Sequence, residues 1–204
     1  MIKVFPDIPK KFTLLVSGGV DSVVACVWLK KVYRKEFEVL HFNHNIQESN
    51  RFMESSVLSL CKDLNINISV IFKPKGGDVS ENSLRAWRLS NLKSIGGNFI
   101  TAHHMGDVKE NYLSNCIKGH GGHVPIAKHT DLNSYTKVYH PFLLTNKDDF
   151  VEYAKNEKLR RYIVEDPTNT SMCHTRNWIR KMIGEMEDRG LGMEKMIRRN
   201  FYKN

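Results

Sequence analysis

Apolar residues arrive along this chain in short blocks, and the blocks alternate between two spacings. Residues 12–16 (FTLLV), 37–44 (FEVLHFNH), 66–72 (INISVIF) and 98–104 (NFITAHH) are compact runs of the kind that form buried strands. Residues 21–33, 48–64, 80–95 and 107–118 lie after these runs and predict helices. Several begin with Asp, Glu or Ser, residues favoured at helix starts. A glycine-rich loop at 118–125 interrupts the series. An extended pattern resumes over 135–144, and helices are expected at 146–159 and 173–186. This β-α-β-α order places the chain in the α/β class, as a parallel sheet with helices on both faces and a short helical C-terminal extension. Ligands in such sheets bind beyond the strand C-termini, where the strand order reverses.

At 204 residues the chain has the length of one domain, and the reading is a main body over 1–188 followed by a basic tail over 189–204. No repeats or low-complexity segments interrupt it. Lys and Arg number 31 against 22 Asp and Glu, a formal charge of +9. That surplus favours a polyanionic partner through steering and counterion release. Cys26, Cys61, Cys116 and Cys173 are scattered without a CxxC pair. This spacing argues against a zinc ribbon or redox dithiol and predicts free thiols. The first residues lack a signal-peptide core, and no stretch is long enough to cross a bilayer, so a cytoplasmic protein with no membrane partner is expected.

The densest chemistry is SGGVDS, Ser17 to Ser22, between the first strand and its helix. Gly18 and Gly19 allow a sharp turn in which backbone N–H groups converge on an anion, at the partly positive start of a helix. Ser17 and Ser22 can add hydroxyl donors. Asp21 would repel phosphate by itself, and a bridging Mg²⁺ resolves the conflict, making Asp21 the metal-binding candidate. The plain alternative is an ordinary strand-turn-helix corner. GxxxxGK[ST] and its lysine are absent, so this is not a Walker loop.

SGGVDS resembles the signature of the PP-loop, or N-type, ATP pyrophosphatases, and the resemblance implies a Rossmann-like ATP-binding fold. By that likeness Ser17, Gly18, Gly19, Val20, Asp21 and Ser22 hold the pyrophosphate half of ATP. Further blocks follow in order: HFNHNIQ with His41, Asn43 and His44; ENSLRAWR with Glu81, Arg85 and Arg88; TAHHMGDVKEN; and EDPTNTSMCHTRNWIR. Together they resemble the catalytic domain of tRNA(Ile)-lysidine synthetases over residues 12–183. The implied reaction adenylates the first anticodon cytidine of a CAU-anticodon tRNA(Ile), then attaches lysine. ATP and Mg²⁺ are the implied cofactors, and tRNA and lysine the implied partners. The C-terminal tRNA-recognition domains of longer family members are not expected within this length.

Asp21, His103, Asp107, Glu110 and Arg180 are the catalytic candidates under this resemblance. Arg85, Arg88, Asp107, Glu110, Asn169, Arg176 and Arg180 are the substrate-binding ones. His103 and His104 are expected to close the fourth strand. Asp107 and Glu110 share a helical face and either seat an ammonium group or mark a solvated helix start. Glu81 either forms a surface salt bridge on the helix face it shares with Arg85 and Arg88 or takes part in the site, while the guanidinium forks of the two arginines suit RNA or triphosphate. Trp87 between them fits the core equally well. Asp166 and Asn169 can order their loop, and the tail's mix of bases and aromatics suits either RNA contact or a solvated helix end. The chain departs from the family pattern at Gly106, where an acid is usual, and at Val108, Asn111, Gln47, Lys118 and His140. Two rivals stand beside the ligase: a non-catalytic RNA- or nucleotide-binding module, and a tRNA thiolase, which the lack of CxxC disfavours.

Overall fold

The computed structural model describes residues 1–120, 126–165 and 175–203. Four strand–helix units open the chain: β1 (Thr13–Leu15) and α1 (Val20–Lys31), β2 (Glu38–Asn43) and α2 (Glu48–Asp63), β3 (Ile68–Phe72) and α3 (Glu81–Ile95), β4 (Gly97–Ile100) and α4 (Met105–Ile117). A hairpin of β5 (His129–Asn133) and β6 (Thr136–Tyr139) follows. The helices α5 (Lys147–Asn156), α6 (Thr175–Asp188) and α7 (Glu194–Lys203) complete the described elements, with a short 3-10 turn at Leu159–Tyr162. The six strands lie in the order β3-β2-β1-β4-β6-β5, all parallel except β5, which pairs antiparallel with β6 at the edge.

The strand pleat explains how both faces are covered. Leu14 lies between Val39 and Ile100 in register, and this apolar row forms the floor beneath α1, α2 and α5. The neighbouring residues point the other way: Leu40, Phe99 and Val138 meet Leu92 of α3. Helix α1 is buried nearly all round, from Ser22 to Val27 and at Leu29, because it is enclosed within the main core. The expected sheet with helices on both faces is therefore present. Strand order reverses at β1, whose neighbours are β2 and β4. The loops that follow β1 and β4 consequently open side by side.

The structure revises several boundaries. Strand β4 ends at Ile100, so Thr101–His104 form a loop rather than closing the strand. The extended stretch from 135 stops at Tyr139. Beyond it the chain turns at Phe142–Thr145, where Thr145 N–H donates to the Phe142 carbonyl at 2.8 Å. Strand β5 had no apolar signature, since its first three residues are exposed. The basic tail contains α7, whose Ile197 and Phe201 are buried against Phe5, Met105, Val108, Leu143 and Leu144. Among the described residues no helix is long and apolar enough to cross a membrane.

Candidate functional site

The loop after β1 owes its shape to one glycine. Gly18 has φ +93°, and an added Cβ would come 3.3 Å from Met53 Cβ and its carbonyl oxygen. Gly19 has an ordinary φ of −76° as the cap of α1, so it is not needed for the turn. An added Cβ at Gly19 would have Ser17 Oγ at 3.6 Å as its nearest protein neighbour, and the bare backbone leaves room for a ligand to approach. The Ser22 hydroxyl donates to the Gly19 carbonyl at 3.0 Å and accepts from Ser17 N–H at 3.1 Å. It thus latches the turn from inside. The N–H groups of Val20, Asp21 and Ser22 open the helix without intrahelical partners, the arrangement that receives an anion. Two contacts to backbone carbonyls brace this turn. Val164 N–H donates to the Gly18 carbonyl at 3.0 Å, and the buried His41 ring contacts the Val16 carbonyl through Nδ1 at 2.8 Å.

Asp21 faces a cation that the local sequence does not contain. Lys147 Nζ, at the start of α5, donates to Asp21 Oδ1 at 2.6 Å and Oδ2 at 2.8 Å. On the other side His104 Nε2 lies 3.7 Å from Asp21 Oδ2 and 3.8 Å from Asp107 Oδ2. Burial works against the Asp21 charge, but His104 and Lys147 outweigh it and hold the carboxyl below the usual range. His104 Nδ1 accepts the Gly106 N–H at 2.9 Å, which leaves the ring proton on Nε2, facing both acids. A Cβ at Gly106 would fall 2.6 Å from His104 Cε1. The glycine that replaces the family's acid is therefore the space in which this imidazole lies.

Asp107 and Glu110 do share the face of α4 that their spacing predicts, and both are buried. Two arginines from α6 close over them. Arg176 Nε donates to Glu110 at 2.5 Å and its second arm binds Asp107, while Arg180 Nε donates to Glu110 at 2.8 Å. Buried Ile179 and Ile183 fix the inward face of α6. Burial would raise the Asp107 pKa, but His104, His103 and Arg176 depress it, so the acid stays ionised. The opposite balance raises the Arg176 pKa against its own burial, chiefly through Glu110 and Asp107.

Next to this cluster lies a neutral pair of histidines. Thr101 Oγ1 is 2.8 Å from His103 Nδ1 and 2.6 Å from His140 Nδ1. One hydroxyl proton cannot serve both nitrogens, so one ring accepts and the other donates. Burial lowers both pKa values, that of His140 to about 3. Arg85 lies within electrostatic range of both rings. Arg88 senses Arg85, Glu81 and Arg176, and burial followed by the neighbouring Arg85 lowers its pKa. Trp87 packs edge-on against Phe42 and His44, a packing role. Asn169 and Asp166 lie outside the described residues.

The structure thus gathers Asp21, Asp107, Glu110, Arg176 and Arg180 around the mouth of the sheet. His103 belongs to the neighbouring histidine pair, and His104 takes the bridging place between the acids. Lys147 carries no sequence signal for the site, and His104, expected only at the strand end, lies between the two acids. Among the described residues no group of three or more His, Cys, Asp or Glu side chains is arranged to hold a metal ion. Mg²⁺ sites that include substrate phosphates commonly take one or two carboxylates from the protein, and Asp21 offers one, bonded in this structure to Lys147.

A PP-loop domain matches residues 3–187. The chain belongs to the PP-loop family. It is similar to the tRNA(Ile)-lysidine synthase of Bdellovibrio bacteriovorus, with 28% identity over 209 residues, covering 98% of this chain and 65% of that protein. The tRNA(Ile)-lysidine synthase of Mycoplasma mycoides is 29% identical over 190 residues, covering 86% of this chain and 46% of that protein. The chain therefore spans less than two thirds of these relatives' length. Among solved structures, a U34-tRNA thiolase from Methanococcus maripaludis with its [4Fe-4S] cluster superposes with a TM-score of 0.75. It shares 16% identity, over 95% of this chain and 70% of that one. The NH3-dependent NAD synthetase of Campylobacter jejuni has a TM-score of 0.53 at 17% identity, over 96% of this chain and 85% of that one. These last two likenesses are of fold.

Proposed function

We propose that this chain is the adenylating part of an ATP-dependent tRNA-modifying ligase of the tRNA(Ile)-lysidine synthase kind. The observation that carries this reading is the closeness of two sites. The anion-binding turn of Ser17–Ser22 and the acid face of α4 are separated by one imidazole, His104, within 3.8 Å of Asp21 and Asp107. Adenylation and amine attachment need such neighbouring sites. Similarity to tRNA(Ile)-lysidine synthases across most of the chain supports the same reading.

In the first step the C2 oxygen of the first anticodon cytidine attacks the α-phosphorus of ATP and pyrophosphate leaves. The amides at the start of α1 hold the departing pyrophosphate, the electrostatic share of the chemistry. Asp21 would hold Mg²⁺, which when bound would neutralise charge on the phosphates. In the second step the bound lysine ε-ammonium first loses a proton, the free amine attacks C2, AMP departs with the C2 oxygen, and the nitrogen gives up its second proton. Asp107 and Glu110 orient the amine. Its ammonium carries the same charge as the guanidinium groups that face these acids, so admitting it requires Arg176 to draw back. One of these acids or His103 takes a proton from the amine, while His140, its pKa held near 3 by burial, is too weak a base for it. Arg85, Arg88 and Arg180 serve the RNA phosphates.

The direct test supplies ATP, labelled lysine and the CAU-anticodon tRNA. Lysine incorporation with AMP release is expected, and absence of both rejects the ligase. One observation favours a second reading, a nucleotide- or RNA-binding module without amine chemistry: Asp107 and Glu110 already hold two arginines. ATP–pyrophosphate exchange in the presence of tRNA separates the two, since a binder exchanges nothing.

A further inference from the structure

A phosphate-binding turn usually recruits a cation, and this one carries an acid where a Walker loop has its lysine. The structure supplies a lysine from far along the chain. We propose that Lys147 is a triphosphate-binding residue of the Ser17–Ser22 turn, held by Asp21 in the nucleotide-free protein and transferred to the phosphates when ATP binds. The inference rests on the ATP-binding reading above and adds a residue to it.

Placement is the first argument. Lys147 Nζ lies 2.6 Å from the carboxylate of Asp21, the second residue of α1, and hence beside the opening N–H groups that receive the anion. Its two bonds to Asp21 use two of three ammonium donors. The second argument is the contrast between stem and tip. The backbone beneath Lys147 is held on several sides. Buried Thr145 exchanges bonds with Lys3 at 3.0 and 2.6 Å, and its carbonyl accepts from Met105 at 2.9 Å. Arg198 binds the Leu144 carbonyl at 3.0 Å, and Asn146 reaches Glu194 at 3.5 Å. The Lys147 side chain itself is 43% exposed on four rotatable bonds. A fixed root with a partly hydrated tip suits a side chain that changes partners.

Charge balance is the third argument. Without nucleotide, Asp21 and Lys147 neutralise each other. With a magnesium–triphosphate, Asp21 turns to the cation and Lys147 to a phosphate oxygen, so neither charge is left alone. A partly exposed lysine–carboxylate pair is weak and readily exchanged, whereas an ammonium–phosphate bond is charge-assisted. The competing view makes the pair a plain tie between α1 and α5.

Calorimetric titration separates these views, using ATP with Mg²⁺ and inorganic pyrophosphate without divalent ions. Thermal unfolding confirms that each variant is folded. Lys147→Met is expected to weaken ATP–Mg²⁺ binding about tenfold, equivalent to about 1.4 kcal/mol, while Lys147→Arg keeps most of the affinity. Without divalent ions, Asp21→Asn is expected to bind pyrophosphate several-fold tighter than wild type, because the lysine is released and the repelling acid is gone. Much of that gain should vanish in the Asp21→Asn/Lys147→Met double variant. Wild-type binding that Lys147→Met leaves unchanged overturns the lysine's role and leaves the ATP site standing. A gain that persists in full in the double variant also overturns it. Wild-type protein that takes up neither ligand removes the ATP site and this inference together.

Discussion

Asp21 and Glu110 are acids met by bases from later in the chain, yet their closures differ in kind. Asp21 is 31% exposed and faces one lysine that is itself 43% exposed. Glu110 is 6% exposed and holds two arginines, Arg176 and Arg180, through separate oxygens. A hydrated ammonium on a flexible stem exchanges partners at little cost, whereas two guanidinium groups on a buried carboxylate lock one helix to another. The Asp21–Lys147 pair is therefore the more readily exchanged of the two. The acid face of α4 is fastened to α6 through those two arginines.

The largest test of this contrast is Glu110→Gln. It leaves one acceptor oxygen and turns an amide NH₂ toward a guanidinium. Breaking a buried ion pair costs about 3–5 kcal/mol, and the exposure of both arginines reduces the expected loss here to about 2–3 kcal/mol. Urea unfolding at pH 7 measures it, and a loss under about 0.5 kcal/mol would show that α6 is not fastened there.

Gly106→Ala attacks the imidazole that joins the two acids. The new methyl would meet the His104 ring at 2.6 Å, so the ring must leave its place between Asp21 and Asp107. A cost of about 1–2 kcal/mol is expected, as for other overpacked sites. The His104 ring resonances should shift in NMR spectra, and unchanged resonances would show that the glycine is not what admits the ring.

Lys147→Met should have the smallest effect on stability, under about 1 kcal/mol at pH 7. Its pH dependence carries the sign of a depressed carboxyl. The Asp21 pKa in the folded chain lies below the unfolded value of about 3.9. The pair's stabilisation is therefore complete above that value and disappears as the pH falls through the lowered one. Denaturation curves of wild type and variant should converge at the acid end, and a gap that widens there would contradict the pairing.

The sheet was legible because buried strands and amphipathic helices repeat at different spacings. FTLLV and INISVIF are short, and the buried Val57, Leu60 and Cys61 of α2 recur at helical intervals. Strand β5 was not legible: HTDLN owes its strand to pairing with β6 and has no apolar face of its own. Helix α7 was hidden by its charge, although Met193, Ile197 and Phe201 recur every fourth residue and meet one core cluster. At the site, Asp107 and Glu110 could be placed on one helical face from spacing alone. Lys147 could not be placed, because 126 residues separate it from Asp21 and only the packing of α5 on α1 joins them. The role of Gly106 needed the position of a neighbouring ring.

The closing helix is also a lever. Lys109, buried in α4, grips Glu187 at 2.7 Å and Glu194 at 3.2 Å, and Glu194 in turn touches Asn146, the residue before the lysine that pairs with Asp21. Helix α7 thereby touches the start of α5 through Glu194, so a change in how α7 packs would be felt at the root of Lys147.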